Sequence, residues 1–240
     1  MIAQTPLNPP PKVLLISRQF IKPGRKADVF KIERDSVEQQ KRLKSPHFYW
    51  VLSSISGRDD LWWLNGWDSY GDIEKEMAGI AQIPGLLEQW AANPKLKAEM
   101  VTDPREMYAR FREDLSYGER GEKPAFFLVT TVTVRPGFRT EFVELRKLIR
   151  RAQDNARAGD NATVYEVESG AADGTFVIFS SAASLEDAGT LSQVHAREFE
   201  TLLSVQARTQ FRALSTSAIL SSETALFTLN PELSMQPEKP

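Results

Sequence analysis

The chain has 240 residues, 41% of them hydrophobic and 26% charged, with a formal net charge of −2, the profile of a globular protein long enough for two ordinary domains. The lack of a basic field argues against nucleic acid or an anionic membrane as partner. The absence of cysteine excludes disulfides, thiol catalysis and thiolate metal sites, and leaves the compartment open.

The first twelve residues, MIAQTPLNPPPK, hold four prolines and no apolar signal core, and predict a disordered or extended leader over 1–12. Apolar runs such as VLLI and FFLV are far too short to span a bilayer. The expectation is a soluble chain, cytoplasmic by default; removal of an export signal would leave the same sequence. A strand over VLLISRQFI (13–21) is stopped by Pro23-Gly24, because proline ends pairing and glycine permits the turn. A helix over about 26–43 follows, with Val29, Phe30, Ile32 and Val37 as its apolar members. Next come strands over FYWVLSSI and LWWLNGW around the turn SGRDD. A second helix is capped by Ser69 and Asp72, and a closing strand covers MYARFREDLS (107–116).

After a linker at 119–123 the order repeats. FFLVTTVTV (126–134) ends at Pro136-Gly137, and a helix shows the apolar stripe Phe138, Phe142, Leu145, Ile149 and Ala152. Arg146, Lys147, Arg150 and Arg151 fall on its other faces, so LRKLIRR is expected to be solvated. TVYEVES and TFVIFSS flank GAADG, Ser184 and Asp187 cap another helix, and LFTLNPELS (226–234) closes the copy. Matching positions lie 113 apart from the first strand to the hairpin (Gly57 with Gly170, Asp60 with Asp173). They lie about 118 apart at the end, which predicts some five extra residues in the late helical region.

Each copy is thus β-α-β-β-α-β, the split βαβ unit. The predicted fold is α+β: two tandem ferredoxin-like repeats, 13–118 and 124–236, whose antiparallel sheets pack face to face so that neither leaves a bare apolar face in water. From the element order, the Pro-Gly after each first strand and the DLS/ELS endings, the chain resembles the dimeric α/β-barrel superfamily in its fused form. It is similar in particular to NIPSNAP-like and antibiotic-biosynthesis-monooxygenase-like domains. The resemblance implies a small-molecule site: cofactor-free monooxygenases of this type hold an aromatic substrate between sheet and helices. Chlorite dismutase relatives ligate haem iron through a histidine of the second half, which makes His195 the haem-ligand candidate.

The densest local feature is SPHFYWVLSSISGRDDLWWLNGWDSY (45–70), with four of the five tryptophans. Strand alternation puts Trp63, Asn65 and Trp67 on one face, either between the sheets or under the helices. Trp50 and Leu52 are expected to join them from the paired strand. An amide between indoles suits a pocket for a planar or apolar ligand, and the alternative is that the rings fill the core. His47, after Pro46, is a candidate base or metal ligand near that pocket. No His, Asp and Glu spacing supplies a dedicated metal site, and no Walker loop, GxSxG elbow or GxGxxG occurs. The expected function is binding of a small planar molecule, with cofactor-free monooxygenase-like chemistry. A non-catalytic structural or interaction protein, with or without self-association, is the rival. A haem enzyme comes third.

Overall fold

The structure, a computed structural model, describes residues 7, 9–118, 124–156, 160–193 and 203–236. The elements run β1 (Val13–Ile21), α1 (Lys26–Arg42), β2 (Trp50–Ser54), β3 (Asp60–Trp67), α2 (Tyr70–Ile80), α3 (Leu86–Lys97) and β4 (Val101–Phe111). They repeat as β5 (Phe126–Val134), α4 (Arg139–Ala156), β6 (Thr163–Ser169), β7 (Thr175–Ala182), α5 (Leu185–Gln193), α6 (Val205–Ala218) and β8 (Ile219–Leu229). The chain is therefore α+β with two ferredoxin-like repeats, and strand neighbours follow the orders β4-β1-β3-β2 and β8-β5-β7-β6. In both copies the second helix is broken in two.

Both Pro-Gly pairs close β-turns. The Arg25 N–H donates to the Lys22 carbonyl at 3.1 Å, and the Phe138 N–H to Arg135 at 3.0 Å. Gly24 and Gly137 sit at φ 76° and 84°, the third turn position, in the left-handed region that side-chain-bearing residues adopt only with strain. Ser69 and Ser184 cap their helices as expected, accepting from the Asp72 and Asp187 amides at 3.3 and 3.0 Å. The closing strands begin earlier than their apolar residues suggest, at Val101 and Ile219. The DLS and ELS endings are 3-10 turns, Glu113–Leu115 and Pro231–Leu233, and not strand. Each turn buries a leucine completely, Leu115 and Leu233.

Register corrects the hairpin alignment. Ser17 lies opposite Trp63 and Thr130 opposite Ile178. Trp63 therefore matches Ile178, an offset of 115 where the turn residues lie 113 apart, and two of the five extra residues sit in the hairpin.

The chain divides into two compact units, one formed by 1–108 with 228–240, the other by 109–227. The first has a core of Ile21, Val29, Val37, Tyr49, Val51 and Leu61, completed by Leu233 and Met235 from the tail. Tyr49 bridges Met235, and the Val51 carbonyl accepts from the Asn230 amide at 2.8 Å. All five tryptophans belong to this unit. The second has a core of Phe142, Leu145, Val164, Phe176 and Ile178 with Leu115, Tyr117 and Val132. No helix among the described residues is long and apolar enough to cross a membrane.

Candidate ligand-binding site

Three of the residues singled out from the first half form one polar network. His47, on the approach to β2, has Nδ1 2.5 Å from Oε1 of Glu76 on α2 and Nε2 2.9 Å from Nδ2 of Asn65. The other Glu76 oxygen accepts from the Trp67 indole N–H at 2.8 Å, and Asn65 also donates to the Phe48 carbonyl at 3.0 Å. An amide N–H donates, so the imidazole presents its lone pair at Nε2 and its proton, on Nδ1, to Glu76. The Trp90 ring meets the imidazole edge at 4.8 Å between centroids. Both imidazole nitrogens are spent within the protein, which leaves His47 as a member of the scaffold and not a free base.

Trp63 faces the helices. It packs against the core cluster that contains Val29, Val37 and Val51, and the Lys97 ammonium lies 4.9 Å from its ring centroid. Trp50 does not join this row: it pairs with Leu64, so pleat alternation sends it to the opposite face, and the expectation of a shared pocket is corrected. Trp50 instead borders a small cavity of about 270 Å³ with Leu64, Gly66, the Trp67 edge, Glu76 and Pro9–Pro11. His195 lies outside the described residues.

The larger cavity, about 470 Å³, belongs to the second unit and was not signalled by any aromatic cluster. It lies between the sheet and helices α4 and α6. Leu128, Val132 and Ile178 line it from the strands; Phe142, Leu145, Ile149 and Phe211 line it from the helices. Tyr117, Arg146, Gln153 and several serines and threonines supply its polar groups. Asp160 Oδ2 accepts from the Tyr117 hydroxyl and from Gln153 Nε2, both at 3.2 Å, while Oδ1 accepts from the Asn161 amide at 2.7 Å. Thr130 and Thr224 hydroxyls touch at 2.8 Å on the sheet side. Burial pushes the Tyr117 phenol far up; Arg146 opposes that shift and Asp160 adds to it. The phenol stays protonated and acts as a donor.

Arg146 is the unexpected member. Sequence periodicity assigned it to a solvated face, yet it is only 7% exposed and lines the cavity. Positions 142, 146, 149 and 153 are separated by four, three and four, so Arg146 belongs to the stripe of Phe142 and Ile149. That spacing was the available signal, masked by the neighbouring charges of LRKLIRR. Its Nη2 reaches the Leu115 carbonyl at 3.4 Å, while its Nε, like Oε1 of Gln153, has no partner. Burial holds its pKa below the ordinary arginine value, against the pull of Tyr117 and Asp160.

The duplication explains why one half is open and the other closed. Where the second unit has Ile178 and Ala162, register puts Trp63 and Tyr49 in the first. Those two rings fill the space between sheet and helices. Glu33 takes the place of Arg146 and is neutralised by a buried ion pair with Lys97 on α3. Gln40 matches Gln153, and its Nε2 donates to the Tyr49 hydroxyl at 3.0 Å. Among the described residues no three His, Asp or Glu side chains converge as metal ligands.

No family model matches the chain, and no curated protein does. Solved structures do. The chain is similar to a proposed monooxygenase of Lactobacillus acidophilus at 7% identity, covering 95% of this chain and 100% of that one with a TM-score of 0.55. It is similar to an anthrone oxidase-like protein at 13% identity over 95% and 94% of the two chains, TM-score 0.59. A mutant chlorite dismutase of Candidatus Nitrospira defluvii in complex with cyanide matches at 13% identity over 93% and 92%, TM-score 0.52. At such identities the likeness shows the fold alone.

Proposed function

We propose that the chain binds one small, planar, largely apolar molecule in the cavity of the second unit and acts on it as a cofactor-free, monooxygenase-like protein. The observation that carries the reading is the cavity itself. At about 470 Å³ it falls within the size range of small-molecule sites, aliphatic and aromatic side chains form much of its wall, and Tyr117, Arg146 and Gln153 are among its polar groups. The neighbours described as a proposed monooxygenase and an anthrone oxidase-like protein support the oxidative half of the reading. Haem, the other group suggested by the fold, finds a poor set of donors here. The described lining contains no histidine, cysteine or methionine, and its one tyrosine, Tyr117, is held protonated and donates to Asp160.

Calorimetric titration of the full chain with planar two- and three-ring compounds tests the binding, and an oxygen electrode tests turnover of whichever compound binds. The expected result is saturable binding at one site per chain, with dioxygen consumed only in the presence of that compound. Absence of binding across the panel overturns the reading. Binding without oxygen uptake removes its oxidative half.

A further inference from the structure

We infer that the molecule taken up by this cavity is an anion, its negative oxygen seated at Arg146, with a hydrogen-bond donor beside it facing Gln153; the inference rests on the proposed small-molecule site and names its ligand class. Three observations converge. Arg146 and Gln153 are 7% and 4% exposed, both line the cavity, and each has a polar atom without a partner. One of those atoms, the Arg146 Nε, is a donor and the other, the Gln153 Oε1, an acceptor. The ligand that completes them has an acceptor and a donor, as a carboxylate or phenolate with a neighbouring hydroxyl does.

The third observation comes from the other repeat. Glu33 stands where Arg146 stands, and the chain neutralises it with Lys97 from the helix before the closing strand. Counting back from the starts of β4 and β8, Lys97 matches Ser215, which lines the cavity and carries no charge. The first unit thus brings its own counter-ion to this helix position, and the second does not. Among the described residues Arg146 makes no ion pair, and the nearby Asp160 is committed to Tyr117, Gln153 and the Asn161 amide. A buried guanidinium is stabilised most by a charge-assisted hydrogen bond, and an anionic guest supplies one.

The test compares two probes of one shape, 1-hydroxy-2-naphthoate and the neutral 1-hydroxy-2-acetonaphthone, by calorimetry on the full chain and on two variants. With the parent protein the carboxylate is expected to bind at least about tenfold tighter than the ketone. Arg146→Met should abolish that preference, weakening the naphthoate far more than the ketone. Ser215→Glu, which places a carboxylate on the facing helix as the first unit places Lys97, should weaken the naphthoate selectively, and it serves should the Arg146 variant not fold. Equal binding of the two probes by the parent overturns the inference and leaves the small-molecule site standing. So does a preference that survives both substitutions. If neither probe binds and the wider panel also fails, it is the site that falls.

Discussion

Trp63 and Ile178 occupy the same register position in the two repeats and have opposite effects. The indole packs against α1 and lies under Lys97, so Trp63→Ala should cost about 3 kcal/mol or more, read as a lowered midpoint in urea melts followed by far-UV circular dichroism. A loss below about 1 kcal/mol would mean the ring borders open space after all. The reverse exchange is more informative. Ile178→Trp together with Ala162→Tyr installs in the second unit the rings that close the first. These substitutions should abolish probe binding while the protein still melts cooperatively. Undiminished binding by the double variant would place the ligand elsewhere. Asn65, which looked like a ligand-binding amide between indoles, has its amide nitrogen engaged by His47 and the Phe48 carbonyl. Its residue type was legible in the sequence, but its partners come from the approach to β2, and only the fold shows that.

At the scale of elements, strand and helix identities follow from apolar periodicity, and both capping serines sit where local sequence put them. Replacing Ser184 by Ala removes the acceptor for the Asp187 amide and should cost about 1 kcal/mol, measured as the shift in denaturation midpoint. The burial of a charge on α4 was written in the spacing of Phe142, Arg146 and Ile149 but masked by the charges around it, and the two-residue shift in the hairpin was outside what periodicity supplies. That shift depends on partners far away in the chain. The same holds for Glu166 on β6, whose carboxylate accepts from Arg112 Nη1 at 2.6 Å and from Arg139 Nε at 2.5 Å, tying the end of β4 to the start of α4. Burial alone would raise the Glu166 pKa, and the hydrogen bonds from Arg139 and Arg112 outweigh it, so it lies below the ordinary glutamate range. A depressed carboxylate pKa adds stability that is complete above the unfolded value, about 4.3, and is lost as pH falls through the folded one. Glu166→Gln should therefore lower Tm by a constant amount above about pH 5, through neutral and alkaline pH, with the difference from the parent shrinking as pH falls below that. A parallel downward shift at every pH would show that the charge is not what matters.

On the scale of the whole molecule, the repeated phrase around Pro-Gly was enough to expect two ferredoxin-like copies, because turn chemistry and strand alternation are local and were kept in both. The loudest part of the sequence, its tryptophan-rich stretch, marks the half whose space between sheet and helices is filled; the roomier half is written in ordinary residues such as Ala162, Ile178 and Ser215. A cavity is a matter of what is missing, and composition does not advertise it. The compact units also depart from the order of the chain, since 228–240 belong with 1–108. On the ribosome this inverts the usual sequence of events, in which the N-terminal part folds first. Residues 109–227 have all of their own core once they have emerged. The core of the earlier half is complete only once Leu233 and Met235 have left the exit tunnel, so the part made first is the part finished last.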